Sequence, residues 1–289
     1  MTMILLKKNV QLSYVIMMIA IAISLSLSIS AQSQAADSSD SATSGSGGST
    51  TWTGFYIGAY GGGHSGKSNA GVSTVYSPAG YFAQTSVSAI NSTGGRQLKP
   101  TGIVGGGTVG YNYQVGRVVV GAEADFGALR LEKAESSTGS YPCCSPATYT
   151  ISHSLRSRWL LTVRPRIGVT VGNALIYGTA GLAAADLNYQ AAFSDTYGAA
   201  RENGDIRSNR AGWTGGGGVE FKFGKHWSAK GEYLYSDLGS VSITSTNLSA
   251  ASVSSFAAIA PSQLYPSNAF THTSDLKLNN FRFGINFHF

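Results

Sequence analysis

Charge is what this sequence has least of. Only 12% of its 289 residues are Asp, Glu, Lys or Arg, about half the share of an ordinary soluble domain. With a mean hydropathy of +0.02, that leaves too little charge to solvate an aqueous surface. Cysteine is nearly missing as well. Cys143 and Cys144 are the only two and are adjacent, which excludes both a disulfide framework and zinc-type ligand spacing. Beyond the N-terminal segment, no apolar run approaches the length of about 18 residues that a membrane helix needs. The excess of positive charge is small, +6 for the chain and +4 without Lys7 and Lys8. It is too mild and too scattered to argue for nucleic acid. Aromatic residues and glycine, in contrast, are plentiful: 12 Phe, 4 Trp, 15 Tyr and 37 Gly. The aromatics exclude a disordered chain, and glycine without a three-residue period excludes collagen. An all-β membrane protein fits this composition better than a cytosolic enzyme does.

The first segment has the order of an export signal. Lys7-Lys8 precede an apolar stretch from Val10 to Ile29, and small residues follow up to Ser33-Gln34-Ala35-Ala36. Charge, apolar run and small-residue exit define a secretory signal peptide, so residues 1–36 are expected to be removed, with cleavage after Ala35 or Ala36. An uncleaved anchor is the alternative, since the run has the length to span a bilayer. Residues 37–51 are almost all Ser, Thr, Gly, Ala and Asp and read as a flexible linker.

From Trp52 onward the period is two. Val118, Val120, Ala122, Ala124 and Phe126 alternate with Val119, Gly121, Glu123 and Asp125. Trp159, Leu161, Val163, Pro165 and Ile167, extended back to Leu155 and Ser157, oppose Arg156, Arg158, Arg164 and Arg166. Phe281, Phe283, Ile285, Phe287 and Phe289 oppose Arg282, Gly284, Asn286 and His288. Apolar outside and polar inside, in recurring segments of about ten residues, is the pattern of a transmembrane β-barrel. Eight segments are expected, at 53–63, 100–113, 117–129, 152–170, 174–189, 209–223, 227–239 and 276–289; Gly and Ala leave the phase of the fifth open. Connections alternate long and short, with long ones at 64–99, 130–151, 190–208 and 240–275. Short periplasmic turns and long extracellular loops are the rule for such barrels. The expected fold is therefore an eight-stranded antiparallel transmembrane barrel over residues 52–289. It lies in the outer membrane of a Gram-negative bacterium, with both termini periplasmic. Trp52, Phe55, Tyr111, Tyr113, Phe221, Phe223, Trp227, Phe287 and Phe289 are expected in the periplasmic girdle, and Phe126, Trp159, Trp213, Tyr233 and Tyr235 in the outer one.

Several stretches together resemble the alphaproteobacterial outer-membrane immunogenic protein family, small porin-like barrels related to the OmpA membrane domain. They are Trp52-Thr53-Gly54-Phe55-Tyr56-Ile57-Gly58, Gly178-Thr179-Ala180-Gly181-Leu182-Ala183, Trp213 to Glu220, Trp227 to Tyr235, and the ending Phe281 to Phe289. The resemblance covers about 53–289 without the loops. It implies outer-membrane lipid and lipopolysaccharide as surroundings, insertion by the outer-membrane assembly machinery through a C-terminal aromatic such as Phe289, and no catalytic residues. The family includes haemin-binding surface proteins.

Three candidate sites follow. Glu123, Asp125, Arg156, Arg158, Arg164, Arg166, Glu220, Lys222, Lys230, Glu232 and Arg282 share the lumen-facing row. In a barrel of eight strands they would fill the interior, which favours a structural and interaction role through four long loops over a weak passive-diffusion porin. His64, His153 and His272 fall at the outer ends of strands. With Tyr60 and Tyr81 they could ligate haem iron or a metal, or they are simply solvated loop residues. Cys143 and Cys144 could form a vicinal disulfide or pair with another chain. The run Gly105-Gly106-Gly107-Thr108-Val109-Gly110 matches a dinucleotide fingerprint, but strand residues follow where a helix is required. His153 and Ser154, as strand neighbours, point to opposite faces. No enzyme, resident cofactor or metal is expected.

Overall fold

A computed structural model describes residues 51–251, 253–254, 257–258 and 262–289. The expected signal peptide, and all of the linker but Thr51, lie outside the described residues. The elements are β1 (Gly54–Thr74), α1 (Gln84–Thr93), β2 (Gly95–Leu98), β3 (Thr101–Val115), β4 (Val118–Ser140), β5 (Thr148–Val171), β6 (Ala174–Asp195), β7 (Arg201–Phe223), β8 (Trp227–Ser245), β9 (Ser249–Ala250), β10 (Val253–Ser254), β11 (Ala257–Ala258), β12 (Gln263–Leu264) and β13 (Phe270–His288).

The expectation of a plain eight-stranded barrel is corrected. The principal sheet has eleven strands. Eight long ones form an antiparallel hydrogen-bonded ring in the order β1, β3, β4, β5, β6, β7, β8, β13. Three short strands branch from it: β2 pairs with β1, β9 with β7, and β12 with β9. β10 and β11 make a separate two-stranded ribbon. The added pieces come from stretches read as loops, because the ring strands run on past their expected ends and offer edges to pair with. The register is staggered around the ring. The pairs lead from His64 through Asn280, Leu234, Gly216, Thr179, Arg166, Gly121 and Asn112 to Gly54, ten residues below the start. Such a stagger tilts every strand against the ring axis.

One end of the ring carries the three short turns. Gly116, Gly172 and Gly224 sit in them with φ of +60°, +57° and +78°, a left-handed conformation that costs glycine nothing and other residues a steric clash. Both ends of the described ring lie here too, with Tyr56 beside His288 and the Phe289 amide donating to the Phe55 carbonyl at 3.0 Å. This is the turn end.

Toward the other, distal end the strands continue where long loops were expected: β1 to Thr74, β4 to Ser140, β5 from Thr148, β6 to Asp195, β7 from Arg201 and β13 from Phe270. Alternation persists there with its sign reversed. Near the turn end the outward row is apolar, as at Ile57, Ile103, Val120, Ile167, Val219 and Phe283, all exposed. Distally the outward row is Arg130, Glu132, Ser136, Thr138, Asn203 and Arg207, while Ile151, Leu155, Leu187, Tyr189, Phe193 and Phe270 are buried. The buried side chains form one apolar core. α1 completes it with Val87 and Ile90. Ahead of the helix, Phe82 meets Phe193 and Phe270 edge-on at 5.5 and 5.9 Å. The carboxylate of Asp195 accepts from the hydroxyls of Tyr81 and Tyr141, both at 2.9 Å. Burial and that carboxylate push both phenols well above their ordinary range.

A bulge in β5 marks the change. Ser157 and Leu160 are both buried although three residues apart, and the register shifts on both flanks of the strand. A bulge leaves backbone donors without ladder partners. Here Asp186 Oδ1 accepts from the amides of Arg158 at 2.7 Å and Trp159 at 3.0 Å.

Candidate functional site: the interior of the ring

Period-two strands point every second side chain inward, so residues distant in sequence meet on the axis. Nine of the eleven predicted lumen charges are buried inside the ring: Glu123, Asp125, Arg164, Arg166, Glu220, Lys222, Lys230, Glu232 and Arg282. Arg164 is the hub. Its Nη2 donates to Glu123 Oε1 at 2.8 Å and Asp125 Oδ2 at 2.7 Å, and its Nη1 to Glu232 Oε1 at 2.9 Å. Arg282 spans Asp125 Oδ1, at 2.8 Å, and Glu232 Oε2. Lys230 Nζ reaches both oxygens of Glu123 at 2.8 Å. Arg166 donates to Glu220 at 3.1 Å and to Asn112 at 2.8 Å. The four carboxylates face four cations, and Lys222 adds a fifth against the Thr51 carbonyl. Buried charges survive only when paired and hydrogen-bonded; each of the four carboxylates has a cationic partner here, although Arg164 Nε, Arg166 Nη2 and Arg282 Nε have no hydrogen bond.

The placement of Arg156 and Arg158 is a correction. Both face outward, Arg156 paired with Glu132 and Arg158 with Asp186. The extra residue in β5 shifts the phase, so odd numbers point inward up to Ser157 and even numbers from Leu160 onward. By the same shift Leu155 and Ser157, read as outward, are buried. Trp52 is also buried, with Lys222 Nζ 4.9 Å above its ring, and does not join the periplasmic girdle expected for it. The open phase of β6 is resolved: Leu175, Tyr177, Thr179 and Ala183 face inward and Ile176 and Leu182 outward.

Several network members escaped the sequence reading. Tyr56 donates to Glu123 at 2.7 Å, Tyr177 to Glu232 at 3.1 Å and Thr162 to Asp125 at 2.7 Å. Glu220 takes Asn286 Nδ2 at 2.7 Å and the Ser228 hydroxyl. Guanidinium groups stack on rings, Arg166 on Tyr56 and Tyr177 and Arg282 on Tyr60. The signal for them was present. All share the inward parity of the charges, and a hydroxyl or amide there is a hydrogen-bond partner that a purely apolar tally ignores.

The histidines do not form a rim. His64, His153 and His272 are buried, because the strands continue beyond the ends assigned to them. β13 pairs with β1 so that His64 lies opposite Asn280 and His272 opposite Val72, well separated along the ring. His64 Nε2 bonds the Arg130 carbonyl at 3.0 Å. His153 Nδ1 bonds the Tyr189 hydroxyl at 2.8 Å. His272 Nε2 lies 2.9 Å from Glu202 Oε1 and 3.2 Å from Ser245 Oγ. A serine relay needs the base and its orienting acid on different ring nitrogens, so one nitrogen facing both groups is not that device. Among the described residues, no three His, Cys, Asp or Glu side chains converge as a metal site. Cys143 and Cys144 are joined as a vicinal disulfide beside Ser86 of α1. The glycine run 105–110 lies wholly within β3. A Cβ at Gly106 would stand 2.2 Å from the Phe126 carbonyl oxygen, so close strand approach accounts for that glycine.

Residues 21–289 match a family described as outer membrane protein beta-barrel domain. Two 31 kDa outer-membrane immunogenic proteins, from Brucella melitensis biotype 1 and Brucella suis biovar 1, are each 34% identical to the chain over 191 residues. The match spans 65% of this chain and 72% of the relative. The outer membrane protein OprG of Pseudomonas aeruginosa aligns over 82% of this chain and 97% of its own, at 10% identity and a TM-score of 0.37. That likeness is too loose to carry an argument about fold or function.

Proposed function

The chain belongs to the outer membrane protein beta-barrel domain family, with the 31 kDa outer-membrane immunogenic proteins, and from that premise we propose that it displays a folded, polar-skinned platform at the cell surface. It is a non-enzymatic outer-membrane surface protein of a Gram-negative bacterium. In this reading residues 1–36 are the cleaved export signal and residues 37–51 a periplasmic linker. The turn end faces the periplasm, Phe289 is read by the assembly machinery, and the distal half stands outside the membrane.

The observation that carries the reading is the reversal of polarity along the ring strands. An apolar skin suits lipid and a charged skin suits water, because an exposed charge at the bilayer midplane costs about 2–4 kcal/mol. The platform differs from the four long loops of the sequence reading, since continuous strands and an apolar core hold it. The interior supports a closed ring in place of a diffusion pore. The charge network occupies the turn-end half, and the aromatic core with α1 occupies the distal half.

Two measurements test this. Refolded protein in planar bilayers is expected to show no stable channels; steady conductance of diffusion-pore size would overturn the closed interior. An epitope inserted between Pro78 and Ala79 is expected to bind antibody on intact cells. One between Gly172 and Asn173 is expected to do so only after permeabilisation, and the opposite result would reverse the orientation.

A further inference from the structure

One place on the polarity boundary gathers cations without enough acid to balance them. β4 and β5 pair at Ala128–Trp159 and again at Leu131–Ser157, so Arg130 and Arg158 fall together in the irregular interval between. Both are exposed on the outer surface, the Arg158 side chain by 81%. Like charges side by side across antiparallel strands destabilise the pair. The acid nearby, Asp186, is only 16% exposed. Its Oδ1 is committed to the bulge amides and to the Ser157 hydroxyl, and only Oδ2 reaches Arg158 Nε, at 3.3 Å. Among the described residues no acid pairs with Arg130. One step toward the distal end, Arg156 and Glu132 neutralise each other.

One step toward the turn end the chemistry changes abruptly. Trp159 and Phe126 are neighbours with ring centroids 6.1 Å apart, and Ile103, next to Arg130 across β3 and β4, is 61% exposed. The surface therefore runs from apolar side chains, through an indole, to a guanidinium pair, over a few residues. Indoles settle at the headgroup level of a bilayer. Guanidinium is the side chain whose planar fork matches a phosphate bidentately.

We propose that Arg130 and Arg158 bind the phosphate of an anionic lipid in the leaflet that meets the distal half, the phosphate bridging the two guanidinium groups and the acyl chains lying over Trp159, Phe126 and Ile103. The phosphate supplies the negative charge that the bulge lacks, and the apolar skin supplies the remainder of the contact. The site rests on the membrane reading above, but not on which leaflet the distal half faces.

The full chain, refolded in non-ionic detergent, is titrated with a phosphorylated acylated glucosamine disaccharide and with its dephosphorylated counterpart, and bound lipid is counted by native mass spectrometry. The phosphorylated lipid is expected to bind at least about tenfold more tightly. Each guanidinium near an anionic headgroup contributes about fivefold. R130Q, which leaves the Arg158–Asp186 contact intact, is thus expected to weaken binding about fivefold, and R130Q/R158Q about 25-fold. R201Q/R207Q removes the same charge from the distal skin and is expected to stay within about twofold, since cations off the boundary lie away from the headgroup. Folding of each variant is checked by its heat-modifiable gel mobility. Equal binding of the dephosphorylated lipid, unchanged binding by R130Q, or displacement by an equal concentration of inorganic phosphate would overturn the site. Failure of the orientation alone would appear in the epitope experiment and leave this titration untouched.

Discussion

The turn-end half and the distal half of the ring share one set of strands and one ladder of hydrogen bonds, yet they distribute side chains in opposite ways. In the first, Ile57, Val120 and Phe283 face out and Glu123, Arg164 and Glu232 face in. In the second, Arg130, Thr138 and Arg207 face out and Ile151, Leu155 and Phe193 face in. The backbone ladder is indifferent to the choice, and on the membrane placement proposed above the medium outside makes it. In that reading water drives apolar groups inward in the distal half. Lipid offers no such drive in the turn-end half, where the inward charges are held by one another. The two interiors are therefore cohesive for different reasons, one through directed charge pairs and the other through packing.

That difference is broken most severely at Arg164. R164M leaves Glu123, Asp125 and Glu232 without their shared cation, and stranding buried charge costs about 3–5 kcal/mol. Urea unfolding in detergent is expected to show the whole ring losing this stability. On the distal skin, R156M removes an exposed pair with Glu132 and is expected to cost less than about 1 kcal/mol. Similar losses in the two variants would mean that the turn-end half does not depend on its charges.

The distal half should instead fail by loss of packing. Phe193 is buried, stacks on Tyr149, and meets Phe82 edge-on and Phe270 at a tilt. F193A is expected to cost about 3–4 kcal/mol and to leave the membrane half assembled. Limited proteolysis should then cut the distal strands while the heat-modifiable band persists; loss of both together would join the two halves into one cooperative unit. The skins give a gentler test of about 2–3 kcal/mol, near the lower part of the known range. V219K, on the lipid-facing row, is expected to lose that much of its refolding stability, while T138K, on the distal skin, should lose almost none. Equal effects would place both rows in the same medium.

How far this could be read from the sequence depends on the register of each strand. The inward parity of Glu123, Asp125, Arg164 and Arg166 is legible because β4 and the turn-end part of β5 keep strict alternation. Arg156 and Arg158 were misread because a bulge adds a residue without altering composition, and only the partner strand shows the slip. The distal half was hidden for a related reason. Ile151, His153 and Leu155 alternate with Ser152 and Ser154, but a search for apolar-outward segments takes a reversed pattern for loop. α1 gave almost no signal, since its sequence QTSVSAINST offers Val87 and Ile90 amid polar residues and no acidic first turn. The histidines inherited the error, having been placed at strand ends that the strands overrun.

The smallest effect separates the halves by pH. His153 is buried in the distal core with its Nδ1 on the Tyr189 hydroxyl. Burial first, then the nearness of His272 and Arg96, lowers its pKa from 6.5 to about 4, with the Gly94 backbone and Glu135 pulling the other way. Between those values the unfolded chain binds a proton that the folded distal half refuses. Stability is therefore intact above about pH 6.5 and is lost as the pH falls toward 4, by on the order of 2 kcal/mol. The protection of the distal-strand amides, referred to the intrinsic exchange rate at each pH, is expected to fall over this range in the parent protein. H153N should flatten that response while leaving exchange in the turn-end strands as it was. A distal half whose protection is constant from pH 7 to 4.5, or a slope that survives H153N, would show that the apolar core tolerates the protonated ring and that the contrast between the two interiors is weaker than their packing suggests.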